Sequence, residues 1–277
     1  TTEIYTLSLH DALPISAYRK VMPEGPLEVI EMDIKFVWIE ENKQHAYVLT
    51  IIDTFTRVVL YWTDALSIKK GQVKQAWNYI IENYLQPYDC LNKKMHVEIR
   101  NDNDSRFAAK EIQEFFKENY LNQVFTHPYT PQENGHIESF HAILANRIRN
   151  MTFWKLADLE EFLTGFYYNY NNIRIHSSIA YIAPLKFWEL WNSNKIEMKR
   201  DEKRRKITFK LLIPYHEIKQ HTGNDEPESC SLHDFFDPLQ AVEKKSTSVA
   251  KEMCGAETSH NSRFKESPSS VPCIANI

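Results

Sequence analysis

The sequence predicts an α/β domain built on a mixed sheet flanked by helices. Three observations carry this reading: three β-rich runs follow one another closely near the start, strands and helices then alternate, and two amphipathic helices close the unit. An antiparallel opening followed by an alternating half does not fit a Rossmann domain.

Residues 17–26, with Pro23, Gly25 and Pro26, read as a linker, and residues 27–39 as the first strand. Residues 45–52 and 57–62 are two further β-rich runs. The Asp53-Thr54-Phe55-Thr56 link between them suits a tight turn, so they are expected to be antiparallel neighbours. Residues 69–84 then place Val73, Ala76, Trp77, Ile80, Ile81 and Tyr84 at helical spacing. A short strand at 95–100, a helix at 108–119 with Ile112, Phe115 and Phe116 on one face, and a strand at 123–126 follow. Beyond a polar loop, residues 133–150 and 156–172 read as helices, the second with an aromatic stripe (Phe162, Phe166, Tyr170) that belongs in a core. The core domain is thus residues 27–194. A basic C-terminal segment occupies 195–221, with a strand expected at 207–213, and the Ser-rich stretch 222–277 is poor in periodic apolar residues and expected to be a disordered tail.

A chain of 277 residues with 43% hydrophobic and 25% charged residues has the balance of a globular protein. No apolar run is long enough to span a bilayer, so a membrane protein is not expected. Six glycines count against glycine-rich phosphate loops, and the four cysteines form no CxxC pair, so neither a zinc site nor a disulfide framework is expected. The cytoplasm is the expected compartment. The net charge of -4 hides a local basic excess, because residues 195–221 hold nine Lys/Arg against four Asp/Glu. Such a segment could bind nucleic acid or be a solvated charge run.

Residues 1–16 stand apart. Fifteen consecutive residues, Thr1 to Ile15, resemble the translation of a common sequencing adapter, whose last base can begin the codon of Ser16. The segment is expected to be foreign to the fold, with the natural N-terminus replaced.

Three acids sit where acids are uncomfortable unless used. Asp33 lies inside the apolar strand EMDIKFVWI, Asp102 directly follows MHVEIR, and Glu138 lies among Ile137, Phe140 and Ile143. Singly, Asp33 and Asp102 read better as turn or strand-end acids, and Glu138 at least as well as a first-turn acid favoured by the helix dipole. Together they form a spacing: 35 residues separate Asp102, in NDNDSRF, from Glu138, in PQENGHIESFH.

With this spacing the sequence resembles the catalytic core of DDE transposases and retroviral-type integrases. The resemblance runs from about residue 28 to 191 and includes YVLTIIDTFTRVVL, HPYTPQENGHIESFH and YNNIRIHSSIAYIAP. It implies an RNase H-like fold with a five-stranded mixed sheet, and a metal-dependent polynucleotidyl transferase that nicks DNA and joins the released 3′-OH to target DNA. It places Asp33, Asp102 and Glu138 as catalytic residues and metal ligands. Two Mg²⁺ ions, with Mn²⁺ as a substitute, are the implied cofactors, and hard carboxylate oxygens suit them. The implied partners are DNA, both transposon ends and target, and further copies of the chain assembled on it, in the bacterial cytoplasm at the nucleoid. His141, Arg147, Arg149, Arg200, Lys203, Arg204 and Arg205 are candidate DNA contacts, with a carboxylate as the other possible partner of His141. Asn134 and Gly135 are expected to supply a positive-φ turn before the Glu138 helix.

The sequence departs from the family pattern in three places. Asp104 stands where a glycine is usual and would add a fourth negative charge. Ala145 replaces a frequent basic residue, which would weaken a DNA contact or shift it to Arg147. No helix-turn-helix is read in the residues before Asp33, where full-length relatives generally carry one. Two other readings follow: a catalytically decayed DNA-binding remnant, or an RNase H-like nuclease.

Overall fold

The strand that carries Asp33 organises the molecule. The computed structural model describes residues 22–91, 96–126 and 131–218. Residues 1–16, expected to be foreign, half of the expected linker (17–21) and the stretch 222–277, expected to be a disordered tail, lie outside the described residues. Five strands, β1 (Val29–Ile39), β2 (Gln44–Asp53), β3 (Val59–Ala65), β4 (Val97–Asn101) and β5 (Leu121–Phe125), form one sheet in the order β3-β2-β1-β4-β5. β1 pairs antiparallel with β2, β2 antiparallel with β3, and β4 is parallel to both β1 and β5. This is the RNase H-like arrangement, with β1 at the centre.

Alternation along β1 divides the core. Ile30, Met32 and Ile34 face helices α1 (Lys70–Ile80) and α2 (Lys110–Glu118), while Val37 and Ile39 face α3 (Gly135–Ile148) and α4 (Leu156–Asn172). On the first face Trp77 and Phe116 meet edge to face at 5.1 Å, and the Trp77 indole N–H donates to Met32 Sδ. On the second, Tyr167 stacks on Trp62 at 4.6 Å and its hydroxyl hydrogen-bonds the buried Thr50 Oγ1 at 2.6 Å. The aromatic stripe of α4 lies in this core, as its spacing predicts. β3 is an edge strand, and Asn171 of α4 covers part of it: its side-chain amide exchanges two 3.0 Å hydrogen bonds with the backbone of Val59, as a neighbouring strand would.

The structure corrects several sequence expectations. The helix expected at 69–84 is α1 followed by a π-helical turn, Ile81–Leu85. The helix expected from residue 133 begins with a 3₁₀ turn, Pro131–Asn134, before α3. Among the described residues no glycine has a positive φ, and Asn134 has φ −123°, so Asn134 and Gly135 enter α3 without the left-handed turn expected of them. A fifth helix, α5 (Pro184–Asn192), was not read from the sequence; Pro184 starts it in the position where proline's missing N–H costs nothing. The basic segment is a hairpin, β6 (Ile196–Asp201) with β7 (Lys206–Leu211), so the strand expected at 207–213 has a partner inside the charged run.

That hairpin belongs to a third apolar cluster. Phe55, at the tip of the β2–β3 turn and 2% exposed, contacts Phe187 and Trp191 of α5 and Phe209 of β7. The turn is shaped by the buried Asp53, whose carboxylate accepts hydrogen bonds from the Leu27 N–H, the Thr56 N–H and the Thr56 hydroxyl.

Candidate active site

Asp33 sits in the middle of β1 on the face covered by α3. Its Oδ1 accepts the N–H of Ile34 at 2.8 Å, and its Oδ2 lies 3.1 Å from Nδ1 of His141. His141 is 6% exposed, so its imidazole addresses Asp33 and not solvent. The remaining ring nitrogen, Nε2, is buried without a hydrogen-bond partner.

Asp102 is brought to the same face by strand register. Glu31 of β1 stands beside Arg100 of β4, and one pleat further along both chains come Asp33 and Asp102. The Asp102 carboxyl is raised above its ordinary value, first by partial removal from water and then by the negative charges of Asp33 and Asp104, against the lowering effect of the Asp104 N–H it accepts. Glu138, exposed in the first turn of α3, is raised likewise, first by desolvation and then by Asp33 and Glu31, with His141 acting in the opposite direction. Asp33 therefore acts on both other acids. Among the described residues, however, no three His, Cys, Asp or Glu side chains are close enough to hold a metal ion as they stand. The donor set is all carboxylate, which fits a hard divalent cation, and the mutual repulsion is the kind such a cation relieves.

Asp104 does not add a free negative charge. Arg106 binds it through its backbone N–H at 2.9 Å, its Nε at 2.7 Å and a second guanidinium nitrogen, and this pairing lowers the Asp104 pKa. The guanidinium also lies over the Tyr47 ring, 4.9 Å from its centroid. Asp104 is not among the positive-φ residues, so the usual glycine is replaced without left-handed strain.

One residue of the site went unread in the sequence. Glu31 is wholly buried, and its carboxylate accepts the N–H groups of His136 at 3.0 Å and Ile137 at 2.8 Å, with Nδ1 of His136 at 2.8 Å. A helix begins with unpaired N–H groups and a partial positive charge, and Glu31 satisfies both needs of α3 from the central strand. It thereby anchors the turn that carries Glu138. The available signal was the EMD alternation, which puts Glu31 and Asp33 on one face.

Of the candidate DNA contacts, His141 is turned to the Asp33 carboxylate and the others lie elsewhere. Arg147 and Arg149 are exposed at the C-terminal end of α3, where cations also suit the helix dipole. Arg200 is held by Glu24 and Glu202, and Arg204 lies 3.7 Å from Asp201. Lys203 is exposed in the β6–β7 turn, and Arg205 has a left-handed φ of 47° there.

The fold and this acidic face define an RNase H-like core with its carboxylate site at the centre of the sheet. Two family models, both described as the integrase core domain, match residues 23–131 and 119–184, and the chain belongs to the integrase core family. It is 24% identical over 176 residues to a 39.2 kDa protein of insertion element IS476 from Xanthomonas euvesicatoria, covering 63% of this chain and 48% of that one. It is 26% identical over 140 residues to a protein of insertion element IS136 from Agrobacterium fabrum (strain C58), covering 50% and 70%. The chain thus spans about half the length of the first of these relatives. Among solved structures it is similar to the Mos1 transposase catalytic domain with raltegravir and Mg, with 11% identity, a TM-score of 0.43, and coverage of 51% of this chain and 71% of that one. No helix among the described residues is long and apolar enough to cross a membrane.

Proposed function

We propose that the chain is the core of an insertion-element transposase that nicks DNA and joins the freed 3′ end to target DNA. The observation that carries this reading is the position of Asp33 in an integrase core: on the central strand, its charge bears on both Asp102 and Glu138. Water adds to a phosphorus of the element end, the bond to the 3′ oxygen breaks, and that oxygen leaves as a hydroxyl. The 3′-OH then adds to a target phosphorus while the target's own 3′ oxygen leaves. One phosphodiester bond is exchanged for another, so joining needs no nucleotide cofactor.

Asp33, Asp102 and Glu138 would hold two Mg²⁺ ions, or Mn²⁺ in their place, which supply activation of the attacking oxygen and offset charge on the phosphoryl group. His141 and the Ile34 N–H fix the Asp33 carboxylate, the Asp104 N–H orients Asp102, and Glu31 fixes the start of α3. Arg147, Arg149, Lys203 and Arg204 would meet DNA phosphates, and further copies of the chain would bring two ends together on the bacterial chromosome.

The test is Asp102→Asn in a plasmid assay with Mg²⁺ that follows nicking and oligonucleotide joining separately. Both activities should fall at least about 100-fold while the melting temperature holds or rises, because the change removes a ligand and a repelling charge together. Activity near the parent's would remove Asp102 from the site. Hydrolysis of RNA in hybrids without joining would replace the reading by a nuclease, and DNA binding by a parent chain inert in both assays would replace it by a decayed remnant.

A further inference from the structure

The turn 53–57 and the stretch 170–184 belong to segments conspicuous in the sequence, yet neither contributes to the carboxylate site. They meet each other. Arg57 ends the β2–β3 turn with φ 68° and directs Nη1 to the Thr54 carbonyl. Arg174 and His176 follow α4, where the His176 ring packs edge-on to Tyr170 at 4.7 Å. The charges of Arg57 and Arg174 both bear on His176 and on the Tyr170 hydroxyl, so the four side chains form one cluster.

The cluster is positively charged and incompletely satisfied. Burial, followed by the two guanidiniums, pushes His176 down to about 4, which leaves it neutral near pH 7. Its Nε2 and the Nε of Arg174 are each buried with no hydrogen-bond partner, a costly state for polar nitrogens. The carboxylates whose charges reach Arg57 are Glu31 and Asp53. Both are already engaged, Glu31 by the start of α3 and Asp53 by Leu27 and Thr56.

The loop that follows His176 is strained. Ala180 and Tyr181 are consecutive non-glycine residues in the left-handed region, with φ 58° and 57°. The His176 carbonyl accepts the N–H groups of Ile179 and Tyr181, and the Tyr215 hydroxyl donates to the Ala180 carbonyl. Strain maintained by several fixed contacts is characteristic of ligand-holding loops. Tyr181 itself is 61% exposed.

We propose that Arg57, Arg174 and His176 form an anion subsite that holds a backbone phosphate of bound DNA. A phosphate supplies the missing negative charge and acceptor oxygens, and guanidinium donors match its geometry. The inference rests on the transposase reading for the identity of the anion. Glu31, whose charge reaches both Arg57 and Glu138, links the subsite to the carboxylate face.

The experiment uses the full 277-residue chain and measures duplex DNA affinity against salt. Arg174→Gln should weaken binding about tenfold and reduce the log–log salt slope by about 0.9, the share of one neutralised phosphate. His176→Gln should weaken binding with the slope unchanged, because the imidazole is neutral, and Arg174→Lys should restore the slope. A methylphosphonate scan should find one position that weakens the parent and not Arg174→Gln. Inorganic phosphate, at fixed ionic strength, should raise the melting temperature of the parent and not of that variant. Parental affinity and slope in Arg174→Gln and His176→Gln overturn the proposal; if Arg174→Gln does not fold, parental affinity in His176→Gln does so. Phosphate and DNA binding through Arg174 by a chain that neither nicks nor joins would sink the transferase reading and leave the subsite standing.

Discussion

Glu31 does from a neighbouring strand what a helix usually obtains from its own capping side chain. With no exposed surface and three bonds to the start of α3, it is a buried charge satisfied by dipoles. Glu31→Gln keeps the shape but loses the charge, so unfolding in urea should show a loss of about 2 kcal/mol, the scale of a hydrogen bond to a charged group. Asp64 is the opposite case: its Oδ2 is buried with no partner, and burial followed by Glu160 raises its pKa from 3.8 to about 6. The folded value stands above the unfolded one, so the stability its proton provides is present below about 4 and lost as pH rises through about 6. Asp64→Asn should therefore stabilise the chain at pH 7.5 by about 1 kcal/mol, discounted for partial exposure, and confer no gain at pH 4. Melts of both chains at the two pH values check this; an equal gain at both would exclude ionisation as the cause. The candidate triad was legible because three acids keep a fixed spacing. Glu31 was not, since its role exists only once α3 docks on β1.

Elements come into register through a few side chains that cross between them, and Phe55 is the clearest. It stands on the β2–β3 turn but contacts α5 and β7, so the short turn ties the sheet to the C-terminal hairpin. Phe55→Ala should cost about 3 to 5 kcal/mol, as for other fully buried rings. Hydrogen exchange should then rise in β6 and β7 more than in β1. Equal protection of the hairpin in parent and variant would mean that Phe55 does not hold it. The five sheet strands were readable because their alternation is dense and their turns polar. The hairpin was obscured, since Ile196 and Met198, then Ile207, Phe209 and Leu211, alternate correctly but are interleaved with Lys and Arg that read as a charge run. Helix α5 was missed for a different reason: Leu185, Phe187, Trp188, Leu190 and Trp191 lie around much of the helix instead of on one face, and its position is set by packing on Phe55.

At the scale of the molecule, the basic excess is concentrated in residues 195–221 while the acids that would hold metal lie on the central strand and its neighbours. A polyanion approaching that face meets carboxylates first, so positive charge elsewhere must offset the repulsion. The hairpin supplies it unevenly. Arg200 is committed to Glu24 and Glu202, joining the hairpin to the chain before β1, whereas Lys203 is exposed at the turn and Arg204 is 84% exposed beside Asp201. The two kinds of cation should separate experimentally. Lys203→Ala with Arg204→Ala should weaken binding to all duplex sequences alike and reduce the salt slope by about 0.9 for each phosphate no longer neutralised, leaving the melting temperature unchanged. Arg200→Ala should lower the melting temperature slightly and leave the slope alone, because its charge is already neutralised within the fold. Titrations of parent and variants against one duplex over a range of salt decide the matter. A slope unchanged in the double variant would move the phosphate-binding role from the hairpin to Arg147, Arg149 and the Arg57–Arg174 cluster.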